Sequence, residues 1–133
     1  MIVDTGILYA AADRGDDAHE DARRVLADPE PQIAPEAVIV EADWLILTRL
    51  GVDAEAAFLR GVEETVAIEP STRSDRARAA ELVEQYRDAA LGYVDAITVA
   101  IAERLGETRI ATLDRRDFSL VQPRHVAAFE IVP

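Results

Sequence analysis

Met1-Ile-Val-Asp-Thr-Gly6 opens the chain, and its reading decides the fold. Met1, Ile2 and Val3 make a short apolar run with a β-branched pair, the mark of a buried strand, and the run ends on Asp4. Near the other end, Arg109-Ile-Ala-Thr-Leu-Asp114 has the same form, a strand finishing in an acid. In open α/β sheets, ligands bind outside the carboxyl ends of the strands, so Asp4 and Asp114 point at one site.

Between these strands the hydrophobic pattern switches back and forth. A short Ala-rich helix over Ile7–Asp13 stops at Gly15, and a second over Asp17–Ala27 takes Asp16 and Asp17 as natural caps. A short strand, Gln32–Ala34, leads to Pro35, which suits the first position of a helix running to Leu50 with Gly51 as its stop. That helix is apolar over most of its circumference, and Trp44 is expected in the core, with a dimer surface as the alternative. A helix over Ala54–Glu63 and a strand over Thr65–Ile68 follow. Asp75–Ala90 reads as a polar amphipathic helix with Ala79, Leu82, Val83 and Tyr86 inward. Val94–Leu105 is apolar on every side, hence a buried helix, capped by Gly106, and Ala127–Val132 is the last strand. This alternation implies an α/β fold, a three-layer α/β/α sandwich around a parallel-rich sheet. No repeat, linker or low-complexity segment interrupts residues 1–133, which read as a single domain.

The composition narrows the chemistry. The absence of cysteine removes disulfides, thiol nucleophiles and zinc–thiolate sites. The net charge of −12 argues against a broad basic footprint for nucleic acid. All the basic residues apart from two histidines are arginine, and lysine is absent. Phosphate-handling receivers and dehalogenase-like phosphatases also place acids at strand ends, but both need a lysine. Neither a glycine-rich phosphate loop nor G-x-G-x-x-G is present. Asp4-Thr5-Gly6 matches the aspartic-protease tripeptide, yet those proteases are β-rich and this chain is mostly helical. His19 and His125, expected in solvent, offer no metal-free acid–base pair. No basic leader precedes Met1, and the most apolar run, Ala37–Leu50, is too short for a bilayer and carries Glu41, Asp43 and Arg49. A soluble, cytoplasmic protein without membrane contact is the expectation.

Two further acids stand where an acid is unexpected. Glu41 interrupts the apolar helix between Val40 and Ala42, and Asp95 opens the buried helix at Val94-Asp95-Ala96. Taken singly, Asp95 is a first-turn acid that complements the helix dipole, and Glu41 is an acid reaching solvent at one edge. Taken together with Asp4 and Asp114, they form a set at strand ends and on the flanking helices. At an effective dielectric near 20, two unit charges about 4 Å apart repel by roughly 4 kcal/mol, so four ionised carboxylates side by side call for a cation. Oxygen donors without cysteine favour Mg²⁺ or Mn²⁺ over zinc. Asp117 is a candidate fifth ligand or, equally, a solvated loop acid. Metal-dependent phosphodiester hydrolysis is the chemistry that survives these exclusions.

Four segments in order, Ile2-Val-Asp-Thr5, the mid-chain Glu41, Tyr93-Val-Asp-Ala96 and Ala111-Thr-Leu-Asp-Arg-Arg-Asp-Phe118, resemble the PIN-domain ribonucleases. More narrowly, the chain is similar to VapC-type toxins of bacterial type II toxin–antitoxin pairs. The resemblance implies a Mg²⁺-dependent endoribonuclease with Asp4, Glu41, Asp95 and Asp114 as its acidic quartet, and Asp117, Thr112 and Thr5 as auxiliaries. It further implies a mostly parallel five-stranded sheet, a homodimer, and a small antitoxin covering the acidic groove. Gly6 departs from the pattern, since many relatives carry Ser there. RNA would be held through the metal and local arginines; Arg14, Arg115 and Arg116 are the candidate phosphate contacts, with ordinary surface charge as the alternative. The rival reading is a catalytically silent PIN-like binding module whose acidic groove receives a partner's Arg side chains.

Overall fold

The computed structural model describes all residues from Met1 to Pro133. Strand β1 (Ile2–Val3) runs into α1 (Thr5–Ala12) and α2 (His19–Leu26), then β2 (Ile33–Pro35), α3 (Glu36–Leu50), α4 (Val52–Thr65) and β3 (Ala67–Glu69). Helix α5 (Arg73–Gln85), a short 3₁₀ turn (Arg87–Ala89) and α6 (Tyr93–Leu105) lead to β4 (Arg109–Ala111), α7 (Arg115–Leu120) and β5 (Glu130–Val132). The five strands lie in the order β3-β2-β1-β4-β5, and every pairing is parallel. Strand order reverses at β1: the chain first builds outward to β2 and β3, then returns to place β4 on the other side. That reversal opens a crevice beyond the carboxyl ends of β1 and β4.

Alternating side chains sort the two helical layers. Ile2 and Ile110 join one buried cluster with Leu82, Ile97, Ile101 and Phe118, while Val3 and Ala111 join the other with Ile7, Leu8, Val38 and Val62. Neighbours in a strand point to opposite faces, so one pair of adjacent residues anchors both layers. Helix α6 is the centre of the first cluster: every residue from Ala96 to Ala102 is buried. Gly106 ends it in the left-handed conformation, φ 72°, which a Cβ would disfavour.

Several local expectations are corrected. Trp44 is 60% exposed and Val40 65%, because they lie on the face of α3 opposite the one that buries Val38, Ile39, Ala42 and Ile46. Val83 also lies on an exposed face. Helix α2 starts at His19, since Asp16 accepts from the Ala18 amide in a turn and leaves α2 without a side-chain cap. Pro35 closes β2 and stands just before α3, and β3 lies two residues beyond its expected start. The amphipathic helix ends at Gln85, and β5 is confined to three residues. Strand β4 stops at Ala111, and Asp114 instead begins a helix, α7, hidden in Arg115-Arg-Asp-Phe118. His19 and His125 are half-buried, with a ring nitrogen of each hydrogen-bonded to a backbone carbonyl, of Ala10 at 2.8 Å and Glu107 at 2.7 Å. No helix is long and apolar enough to cross a membrane.

Candidate active site

Asp4 leaves β1 at the reversal point and starts α1, its amide bonded to the Ala111 carbonyl at 2.9 Å. Its side chain is 7% exposed and accepts the Thr112 hydroxyl at 2.7 Å. The same Thr112 oxygen accepts from the Asp114 amide at 2.9 Å, so one buried hydroxyl positions both strand-end acids. Asp114 in turn caps α7 through the Arg116 amide, 3.1 Å away. Across the crevice, Thr5 donates to Glu41 Oε2 at 2.6 Å, tying α1 to α3. Asp95 enters from the first turn of α6, half-buried. Asp117 follows on α7, one turn after the Asp114 cap and also half-buried.

The electrostatics join these acids into one site. Burial pushes the Asp95 carboxyl up to about 7, and the charges of Asp4, Asp117, Glu41 and Asp114 all push in the same direction. Asp4 is raised as well, first by burial; its hydrogen bonds from Thr112 and the Thr5 amide pull the other way, and the charges of Glu41 and Asp114 add to the rise. None of the five carboxylates enters an ion pair. Five acids on four elements therefore act on one another without a protein counter-charge.

The donor set is hard oxygen throughout, which suits Mg²⁺ or Mn²⁺. The acids influence one another across the crevice but do not converge into a closed shell: no three Asp, Glu or His side chains lie close enough for that. Asp4 and Asp95, raised and without a cationic partner, are the groups a bound cation would relieve most.

The candidate arginines are placed less alike. Arg115 and Arg116 sit in the first turn of α7 beside Asp114, both exposed, and Arg115 donates to the Pro133 carbonyl. Arg14 is exposed in the turn after α1. Gly6 lies under Leu113, where a Cβ would meet the Leu113 side chain at ordinary contact distance, 3.5 Å, so a side chain there is tolerated sterically. Sequence reasoning missed the exposed aromatic flank beside Glu41, formed by Trp44 and Tyr93, because an apolar helix does not announce which of its faces is bare.

Comparison with known proteins agrees with this geometry. The PIN domain family matches residues 1–122. Ribonuclease VapC26 of Mycobacterium tuberculosis is 33% identical over the whole of both chains. Among solved structures, VapC20 of Mycobacterium tuberculosis, described as a sarcin–ricin loop cleaving toxin, superposes with a TM-score of 0.79 at 24% identity, covering 87% of this chain and 91% of that one. A toxin–antitoxin complex from Klebsiella pneumoniae gives 0.67 at 22% identity, covering 90% and 91%, and FitAcB from Neisseria gonorrhoeae gives 0.66 at 15%, covering 88% and 89%. At those identities the three structures speak for the fold alone. With the family matched over most of its length and a full-length VapC relative, the chain belongs to the PIN-domain family, in its VapC branch.

Proposed function

We propose that the protein is a Mg²⁺- or Mn²⁺-dependent endoribonuclease, the toxin of a toxin–antitoxin pair, that hydrolyses RNA phosphodiester bonds with an activated water. The observation that carries this reading is the set of five carboxylates without an ion-pair partner, Asp4, Asp114 and Asp117 beyond the carboxyl ends of β1 and β4, Glu41 on α3 and Asp95 in the first turn of α6, with Asp95 raised to about 7. When bound, the cation supplies Lewis acidity, lowering the pKa of water and offsetting charge on the leaving oxygen. Asp4, Asp95 and Asp114, with Glu41 and Asp117, are the residues that would hold it. Thr112 fixes the Asp4 carboxylate, while Glu41, its Oε2 already taken by Thr5, keeps Oε1 to accept a proton from water. Arg115 and Arg116, beside Asp114, meet substrate phosphates at the rim, and Arg14, beyond the far end of α1, meets one farther along the strand.

The relatives support the biological frame: one is named a ribonuclease and one fold neighbour was solved as a toxin–antitoxin complex. In this reading a cognate antitoxin covers the acidic groove, and the chain pairs as a homodimer in the cytoplasm. The test is cleavage of a defined single-stranded RNA by the purified protein. EDTA should stop it and Mn²⁺ restore it, and a 2′-deoxy residue at the cut site should leave the rate intact. Cleavage that persists in EDTA, or that needs the 2′-hydroxyl as its nucleophile, overturns the reading. A protein that binds a partner's arginines tightly but never cleaves would be the silent module instead.

A further inference from the structure

Strands β1 and β4 end side by side, and between their two acids the surface turns apolar. Leu113 stands between Thr112, whose hydroxyl serves Asp4, and Asp114. Thr112 is buried, whereas Leu113 keeps 41% of its surface exposed. The Leu113 side chain lies over the first turn of α1: a Cβ placed on Gly6 would stand 3.5, 3.7 and 3.8 Å from Leu113 Cβ, Cγ and Cδ1. Those are the three nearest atoms it would meet, and glycine brings no side chain to cover the leucine from that side. Gly6 follows Asp4 by two residues and Leu113 precedes Asp114 by one. The bare glycine and the exposed leucine therefore make one apolar patch flanked by both strand-end acids. The hydrolytic chemistry proposed above makes no use of it.

We propose that Leu113 is a substrate-contact residue of the ribonuclease: the nucleoside next to the scissile phosphate lays the face of its base across Leu113 and Gly6. The inference rests on the ribonuclease reading and adds the residue that holds the substrate's apolar part. A phosphate brought to the mouth between Asp4 and Asp114 carries a nucleoside on either side. Leu113 adjoins Asp114 in the chain, its Cα about 3.8 Å away, so one of those nucleosides reaches it. Charge alone serves a polyanion poorly here, since the chain has a net charge of −12 and no lysine. Apolar contact is indifferent to that charge, and the exposed part of the leucine is area still to be buried. Gly6 supports the close approach, because without a Cβ it offers the substrate bare backbone. Leucine has no donor or acceptor, so the contact reads no base by hydrogen bonding and strengthens binding across sequences.

Steady-state cleavage of a short single-stranded RNA in Mn²⁺, by the wild type, Leu113→Ala and Leu113→Met, tests the contact. Leu113→Ala should raise KM by roughly 3- to 20-fold with kcat within about twofold, and Leu113→Met should stay within about twofold of wild type in both. Calorimetric binding of Mn²⁺ by RNA-free Leu113→Ala should match the wild type, which a leucine that merely props Asp114 in place would not allow. RNAs with an abasic nucleotide on one side of the cut or the other complete a double cycle with Leu113→Ala. On one side the two losses should overlap, the doubly altered pair being little worse than either change alone. An unchanged KM in Leu113→Ala, weakened Mn²⁺ binding, or losses that multiply on both sides overturns the contact and leaves the ribonuclease intact. A wild type that fails to cleave in Mn²⁺ ends the ribonuclease reading, and this contact with it.

Discussion

Asp4 and Asp75 are both buried aspartates, 7% and 3% exposed, yet their carboxyls move in opposite directions. Around Asp4 burial dominates, Glu41 and Asp114 reinforce it, and the pKa rises. Around Asp75 burial also raises the pKa, but Arg104 Nε at 3.0 Å and the Thr72 amide and hydroxyl outweigh it, and the pKa falls. The same contrast holds for Asp95, raised to about 7, against Glu103, where Arg78 at 2.8 Å and the Arg124 amide overcome burial and hold the carboxyl low. The protein pairs its acids along the α5–α6 seam and leaves them unpaired at the mouth of the sheet. Perturbed carboxyls without a counter-charge mark that mouth as the candidate site.

Removing an acid from the unpaired region should affect activity far more than folding. Asp95→Asn and Asp4→Asn are each expected to lower kcat for RNA cleavage by about three orders of magnitude or more, with circular dichroism unchanged. A variant that cleaves at the wild-type rate would dissolve the comparison. The paired region should behave in the reverse sense. Asp75→Ala breaks the Arg104 pair and the capping box of α5 together. Because Arg104 remains 29% exposed, the loss should be about 2–3 kcal/mol in urea unfolding, below the cost for a fully enclosed pair, with kcat retained.

Between these extremes stands Thr112, buried in the site but carrying no charge. Thr112→Val removes the hydroxyl shared by Asp4 and Asp114 and should lower kcat by about 10- to 100-fold, with Thr112→Ser close to wild type. Equal kcat in the Val variant would show that the two acids hold their places unaided.

The smallest effect is the most telling about sign. Asp95 and Asp4 have folded pKa values raised above the ordinary 3.8, so their protonation favours the fold; that contribution is present below about pH 4 and lost as pH rises, for Asp95 through about 7. Asp75 and Glu103 are lowered, so their contribution is present above their unfolded values of 3.8 and 4.5 and lost as pH falls beneath them. Without divalent ions, Tm should therefore peak on the acid side of neutrality and decline by a few degrees, about 3–6 °C, toward pH 8. Millimolar Mn²⁺ should flatten that decline, and Asp95→Asn should remove much of it. A Tm that climbs steadily to pH 8 without metal would contradict the unpaired state of the groove.

Much of this was legible in the residues themselves. Asp4 declared itself because a carboxylate ends a β-branched strand, and Asp95 and Glu41 because acids interrupt apolar helices. A parallel-rich α/β/α sandwich followed from the switching periodicity, and its five-stranded sheet from the resemblance to the PIN-domain family. What stayed hidden was non-local or face-dependent. Arg104 finds Asp75 across 29 positions of sequence, and no local pattern marks the pair. Trp44 sits in an apolar run whose bare face is set by what α3 packs against. Helix α7 is six residues long and lies within Arg115-Arg-Asp-Phe118 and its continuation, too short for a period to show.

The central claim is that the unpaired carboxylates are the seat of a divalent cation. Calorimetric titration of Mn²⁺ into the RNA-free protein at pH 7, in two buffers of different ionisation heat, tests it most directly. Saturable binding with proton release, lost in both Asp4→Asn and Asp95→Asn and retained in Asp75→Asn, is the result expected. Mn²⁺ binding of equal strength in all three variants, or none in the wild type, would contradict it.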